Sequence, residues 1–317
     1  MKRRVAAKLP PQAAGQRLLD YLSSRFDYHS YSEWQEKILN GEIALNGNIC
    51  LDPGTVIGSS DLMEYFPQNL IEPAVNTNYR IIFEDEHLLV IDKPGNLPVH
   101  PAGPYFANTL WALLDDAGYC KVHLVNRLDR ETSGLLIAAK DSATAGDLNK
   151  KLPEMLKSYY VLVHGEFKNT VNARGFLVND EKSPIRKKQL FIAENSAEAE
   201  NLPEKAVAAE TLFTPVENNA QYTLLCAQLR TGRMHQIRAT LRSMDFPVVG
   251  DKLYGLDENF YRKLALDTLT NEDRQSLVLP RQALHCAELT FEHPHNGKLM
   301  NFKTDVPEEI TDLLGTN

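Results

Sequence analysis

Between residues 15 and 66 the apolar positions recur first at helical and then at strand spacing. In GQRLLDYLSSRF, Leu18, Leu19 and Leu22 share one helix face. YSEWQEKIL predicts a second helix, with Ser32 as its expected N-cap and Asn40-Gly41 as its stop. EIALNG reads as a short strand closed by an Asn-Gly turn, and PGTVIGSSDLMEYF as a returning strand pair. Residues 67–78 hold two prolines and three asparagines without periodicity and read as a linker. Beyond it the pattern is mostly β. Runs at 79–83 and 88–91 predict a hairpin, and a fully apolar run covers 135–139. SYYVLVHGEF, KKQLFIAE, AAETLFTPVE and QYTLLCAQLR are further strands, and QALHCAELTFEHP with GKLMNFKT forms a closing pair around Asn296-Gly297. Helices are expected at 107–118, at 142–150 behind an Asp141 cap, and in RMHQIRATLRSM; residues 257–280 read as a helical elaboration. Most connections are too short for parallel crossovers. The expectation is an α+β fold: a small α+β unit at 1–66, a linker at 67–78, and a domain at 79–317 built on a large mixed, mostly antiparallel sheet.

Composition narrows the classes. No run of about 18 apolar residues exists to cross a membrane, and the basic N-terminus lacks the apolar core of a signal peptide. A cytoplasmic protein without a membrane partner is expected. The four cysteines, Cys50, Cys120, Cys226 and Cys286, are far apart in sequence and read as reduced thiols. His285, His293 and His295 cluster, but no acid or thiol beside them completes a familiar ligand spacing, so no metal is expected. No Gly-rich phosphate loop appears, and no cofactor is expected. The net charge of −8 argues against a protein that coats nucleic acid. Local basic runs at 185–189 and 229–242, set against the acidic 193–210, leave room for one phosphate-binding face.

The densest chemistry is VNRLDRETSGLLIAAK, residues 125–140, where Asp129 stands between Arg127 and Arg130 just before a buried strand. Alone, such a tetrapeptide is most often a solvated ion pair. It has company: IDKPGNLPVHP (91–101), KSYYVLVHG (157–165), TGRMHQIRATLRSMDFPVVGDKLYG (231–255) and RQALHCAELTFEHPHNG (281–297). In this order and spacing the segments resemble the RluA-type family of RNA pseudouridine synthases. Two helices followed by a hairpin ending GEIALNG resemble an S4-like RNA-binding domain. That domain would be a weak gripper here, since residues 1–66 carry seven Lys or Arg against eight Asp or Glu, with Glu33 and Glu36 beside a lone Lys37 on the second helix.

The resemblance implies a reaction that detaches uracil from its ribose, rotates it and rejoins it through carbon. By motif position Asp129 is the nucleophile, a role carboxylates fill at sugar carbons, and Arg238 keeps it ionised and aimed. Tyr159 stacks on the flipped base, and its hydroxyl is a base or relay; neighbouring Tyr160 faces the other way. Arg127 takes the place of the extruded base. Asn126, Arg130 and Arg233 fit the RNA, Ile237 walls the base or is plain helix core, and His235 is structural or lies on the RNA path. Asn126 departs from the His common there in this family, which points to altered RNA fitting.

Two other classes compete. A non-catalytic RNA-binding protein of the same fold would not need Asp129, Tyr159 and Arg238 intact. A glycoside hydrolase would need a second carboxylate near Asp129, for which Glu131 is the local candidate. For the RNA reading, large-subunit ribosomal RNA is expected ahead of transfer RNA, with a monomeric enzyme.

Overall fold

The computed structural model describes residues 5–26, 29–66 and 72–315. It divides into two compact units, Met1–Pro73 with Ala102–Ala107, and Ala74–Pro101 with Asn108–Asn317. Of the expected linker, residues 67–71 lie outside the described residues.

In the first unit, β1 (Val5–Lys8), β2 (Ile43–Leu45), β3 (Asn48–Cys50) and β4 (Leu62–Tyr65) form an antiparallel sheet in the order β1-β4-β2-β3. The helices α1 (Leu18–Arg25) and α2 (Tyr31–Leu39) bury Leu18, Leu22, Trp34 and Ile38 in one core with Ile43. The cap of α2 is Ser30, not Ser32. The Glu33 amide donates to Ser30 Oγ, and the Ser30 amide donates back to Glu33 Oε2 at 2.6 Å, a capping box. Asn46 and Gly47 both take positive φ, 53° and 81°, as a tight β2–β3 hairpin requires. The strand pair expected over 53–66 is a single strand, β4. Its earlier half is a turn-rich loop in which the Asp52 and Asp61 carboxylates hold the Gly54 and Gly58 amides.

The second unit is an eleven-stranded sheet. Its strands are β5 (Arg80–Glu84), β6 (Leu88–Lys93), β7 (His123–Leu124), β8 (Ser133–Ala139), β9 (Leu156–His164), β10 (Val171–Asn179), β11 (Gln189–Ala193), β12 (Val207–Asn218), β13 (Tyr222–Leu229), β14 (Leu284–Glu292) and β15 (Leu299–Lys303). The order is β11-β10-β12-β13-β9-β14-β8-β6-β5, with β15 on β14 and β7 on β8. Every pairing is antiparallel except β14 with β8. Helices α3 (Leu110–Asp116), α4 (Ser142–Lys151), α5 (Gln236–Ser243), α6 (Asn259–Ala265), α7 (Asn271–Leu277) and α8 (Glu308–Gly315) surround it. The α+β expectation holds, including the Asp141 cap of α4, whose side chain accepts the Thr144 amide. Strand β10 was not expected. VNARGFLVN turns the small Ala173 and Gly175 inward, and at Gly175 a Cβ would strike the Ile192 carbonyl, so the strand shows no large apolar alternation.

Strand β8 is buried along its whole length, which is why its sequence is continuously apolar. Its start sets the register of the sheet centre. Gly134 pairs in parallel with Cys286, and Cys286 pairs antiparallel with Tyr159. Gly134 has φ +110°, and a Cβ there would run into the Cys286 backbone. Glycine thus lets the loop before β8 approach β14 closely, two strands from Tyr159.

Candidate active site

The loop 125–132 is held by its backbone. Thr132 N donates to the Asp129 carbonyl, Leu97 N to the Arg130 carbonyl, and Arg281 Nη1 to the Glu131 carbonyl. Lys93, fully buried, donates its ammonium to the carbonyls of Pro94, Leu97 and Arg130 at 2.8, 2.9 and 3.2 Å. Burial, then the Arg281 charge, pushes its pKa down to about 7. So clamped, the loop presents the Asp129 carboxylate, one-third exposed, to an open pocket of about 400 Å³.

Arg238, on the first turn of α5, donates through Nη1 to Asp129 Oδ2 at 2.7 Å. Its other edge is spent on Asp251, with Nε to Oδ2 at 2.6 Å and Nη2 to Oδ1 at 2.8 Å. Asp251 is wholly buried and also accepts the amides of Leu253 and Tyr254. The Tyr254 ring lies 4.9 Å beneath the guanidinium. A guanidinium gripped on three sides has one orientation, and its remaining donor meets the nucleophile candidate. Burial alone would raise the Asp129 pKa. The charge of Arg238 outweighs that, helped by hydrogen bonds from Arg238 and Gln282, and holds the carboxyl below its ordinary range. Asp251 behaves likewise: its burial is outweighed by Arg238.

His235 stands at the start of α5 in the left-handed region, φ 58°, with Nε2 3.9 Å from Asp129 Oδ1. The Tyr254 hydroxyl accepts the Gln189 amide and meets His235 Nδ1 at 2.9 Å. Burial first, and then Arg238, lowers the His235 pKa, so the ring is neutral. Tyr159, buried on β9, closes the far side of the pocket, and Ile237 lines it. Burial pushes the Tyr159 phenol well above its ordinary value, with Cys286 and Asp129 adding to the shift. It is therefore a neutral hydroxyl that can donate and relay but is a poor base. Tyr160 packs from the other face, against the core.

Of the residues expected at the site, the pocket gathers Asp129, Tyr159, Arg238, Arg127, Arg233, His235 and Ile237. Two others are elsewhere. Asn126 is buried, and its Oδ1 accepts the Ile137 amide at 2.8 Å, so it braces the loop against β8 and does not line the pocket. Arg130 turns away to Asn96 and Glu131. Glu131, the carboxylate a glycosidase reading needs, is bound by Lys252 through both oxygens at 3.0 and 2.9 Å and does not line the pocket. Asp251 and Tyr254 were missed at the sequence level, although VVGDKLYG carried them. So was Gln236, whose amide ties α5 to β12 through the Glu210 carbonyl and Thr211 Oγ1 and accepts the Arg233 amide. A buried arginine always needs a buried partner, and that requirement is the signal that points to an acid such as Asp251.

A family model described as RNA pseudouridylate synthase matches residues 87–243. The chain is 30% identical over 309 residues to "Ribosomal large subunit pseudouridine synthase D" of Buchnera aphidicola, covering 94% of this chain and 92% of that protein. It is 33% identical over 245 residues to "tRNA pseudouridine(32) synthase, mitochondrial" of Saccharomyces cerevisiae, covering 76% of this chain and 51% of that protein. Among solved structures, "Human RNA Pseudouridylate Synthase Domain Containing 1" superposes with a TM-score of 0.57 at 20% identity, over 78% of this chain and 98% of that one, and supports the fold. The fold, the ordered motifs and a relative of this identity spanning nearly the whole chain agree: this chain belongs to the RluA-type RNA pseudouridylate synthase family, whose members are isomerases.

Proposed function

We propose that Asp129 is the nucleophile of a uridine-to-pseudouridine isomerisation in RNA. The observation that carries this is a carboxylate held ionised by Arg238 at the mouth of a pocket walled by Tyr159 and Ile237. Asp129 attacks the sugar as the C1′–N1 bond breaks. Uracil leaves as an anion, turns against the Tyr159 ring, and C5 forms the new bond to C1′ as the carboxylate departs. The C5 proton is then lost and N1 gains one, so no redox partner enters. Arg238 aims the carboxylate, and Arg127 and Arg233, both exposed at the rim, meet phosphates or fill the space of the flipped base. RNA tritiated at C5 of uridine tests the step: the enzyme should release tritium, and D129N should release none. Release at a wild-type rate by D129N would remove Asp129 from the mechanism.

Large-subunit ribosomal RNA is the proposed substrate. Most of the similar relatives reported are named for that RNA, and they align along 74–98% of this chain, several of them along 94% or more, whereas one relative is named for transfer RNA and aligns over 76%. Pseudouridine mapping of total RNA with and without the gene decides between them. We assign residues 1–66 an S4-like role in site choice and 79–317 the catalysis, in a monomeric cytoplasmic enzyme. In the first unit Glu33 is committed to the cap of α2, and Lys37 is paired with Glu42 at 3.5 Å. Lys8, Arg17 and Arg25 are exposed, while Arg3 and Arg4 lie outside the described residues. Few phosphate contacts follow. Deleting the unit should change the log–log salt slope of RNA binding by no more than about two contacts' worth, roughly 0.7–0.9 each.

A further inference from the structure

Strand β14 enters the sheet through residues 280–282, and each of the three is tied to the loop that bears Asp129. The Pro280 carbonyl accepts Lys252 Nζ at 2.7 Å, the same ammonium that holds both Glu131 oxygens. Arg281, fixed through Nε by Glu309 of α8 at 2.6 Å, donates through Nη1 to the Glu131 carbonyl at 3.2 Å. The Gln282 backbone amide donates to Glu131 Oε2 at 3.3 Å, and its side-chain Nε2 to Thr132 Oγ1 at 2.6 Å. Gln282 and Thr132 are both buried, and the Thr132 amide closes the turn onto the Asp129 carbonyl at 3.1 Å. We propose that Gln282 is a positioning residue for the isomerisation: Thr132 sets its side-chain amide, and that amide holds the Asp129 carboxylate at a second point besides Arg238. This rests on Asp129 being the nucleophile.

Arg238 reaches Asp129 through Nη1 alone, because Nε and Nη2 are spent on Asp251. A carboxylate held at one oxygen can still turn about its Cβ–Cγ bond; a second donor fixes its plane. The side-chain nitrogen of Gln282 carries two protons. One goes to Thr132, and the other makes the hydrogen bond that Gln282 gives Asp129. The reverse setting of the amide would turn an acceptor oxygen toward a carboxylate, so the nitrogen takes this side. Gln282 does not line the pocket, whereas Asp129 and Thr132 do, so it acts through the carboxylate and not on RNA. A donor to a carboxylate also favours its charged form. Losing that donor should therefore slow the reaction by loosening the aim, and should raise the pH at which Asp129 takes up a proton. A residue that only braced the fold would cost rate equally at every pH. The other titratable groups facing Asp129 are Arg238 and His235 at the start of α5, Lys93 of β6, Tyr159 of β9, and Tyr254. None of these is altered by substitution at 282 or 132, so a moved acid limb reports the Gln282 contact.

Single-turnover tritium release from RNA tritiated at C5 of uridine, followed against pH, tests this. Q282M keeps the length of the side chain and removes both donors. Its rate should fall roughly 10- to 100-fold with RNA affinity unchanged, and its acid limb should move up by about one pH unit. Q282E sets a second carboxylate beside the first and should move the limb further. T132V leaves Gln282 in place without its acceptor and should move the limb the same way by less. Q282M at the wild-type rate, or a rate lowered equally at all pH values with the limb unmoved, overturns the proposal. Should Q282M melt below the assay temperature, T132V decides, and an unmoved limb there overturns it. D129N separates the two readings. If it releases no tritium while Q282M matches the wild type, the positioning role fails and the nucleophile stands; if D129N keeps the wild-type rate, both fail.

Discussion

Helices α2 and α5 make an instructive pair, since each was expected to bear on RNA. Helix α2 obeys the local rules. It starts at a capping box and buries only Trp34 and Ile38. Helix α5 breaks them. It starts from a left-handed histidine with no side-chain cap, and six of its eight residues are buried, among them Gln236, Arg238 and Thr240. Local order in α2 serves stability, whereas in α5 the left-handed His235 and the buried Gln236 and Arg238 each have a partner in or beside the pocket; the buried Thr240 hydroxyl has none among the described residues. Natural chains break local rules where a site requires it, and the contrast says where mutation should alter chemistry and where it should alter only folding.

The sharpest way to break the comparison is D129N. Nearly isosteric, it should fold and bind RNA while the isomerisation rate falls by at least about 10⁴-fold, as for loss of a nucleophile elsewhere. D251N comes next. It leaves Arg238 buried with half its charge compensation gone, a change worth roughly 3–5 kcal/mol of stability, and thermal melts should show it. In single turnover D251N should also slow the reaction with RNA affinity little changed; a rate equal to wild type would mean that the clamp does not orient Arg238. R238K keeps the charge and loses the planar fork, and should cost well over tenfold in rate. On the other side, S30A should cost about 1 kcal/mol in the first unit and leave tritium release from a short substrate unchanged. The smallest effect is with pH. A carboxylate with its folded pKa depressed stays ionised above that value and loses its charge only as pH falls through it. The His235 pKa is also lowered, so that ring stays neutral to below its ordinary range. The single-turnover rate should therefore be flat from neutrality down through the ordinary histidine range, and an acid limb centred at or above the ordinary histidine value of about 6.5 would contradict the electrostatics of this pocket.

What the sequence disclosed and what it hid divide along the same line. The strands of the sheet centre and the helix behind Asp141 were legible because periodicity and capping are local signals, whereas the Asp129–Arg238 pair, 109 residues apart, was legible only through the family resemblance. The N-cap of α2 shifted from Ser32 to Ser30: each serine has a capping-box residue three positions on, Gln35 and Glu33, and it is the Ser30–Glu33 pair that forms. Asn126 and Arg130 read as RNA contacts because of their motif neighbours. Which way a side chain leaves a tight loop depends on Ile137 and Asn96, neither of which the motif names.

The parallel pairing of β8 with β14 also has a temporal side. Ser133 and His285, hydrogen-bonded side by side, are separated by 152 residues of chain. At synthesis rates of 5–20 residues per second, about 8–30 s pass between the making of the Asp129 loop and the arrival of the strand that seats it. Contacts of such long sequence separation form late and slowly. A nascent chain therefore carries the Asp129 carboxylate without a complete pocket around it until β14 has been made.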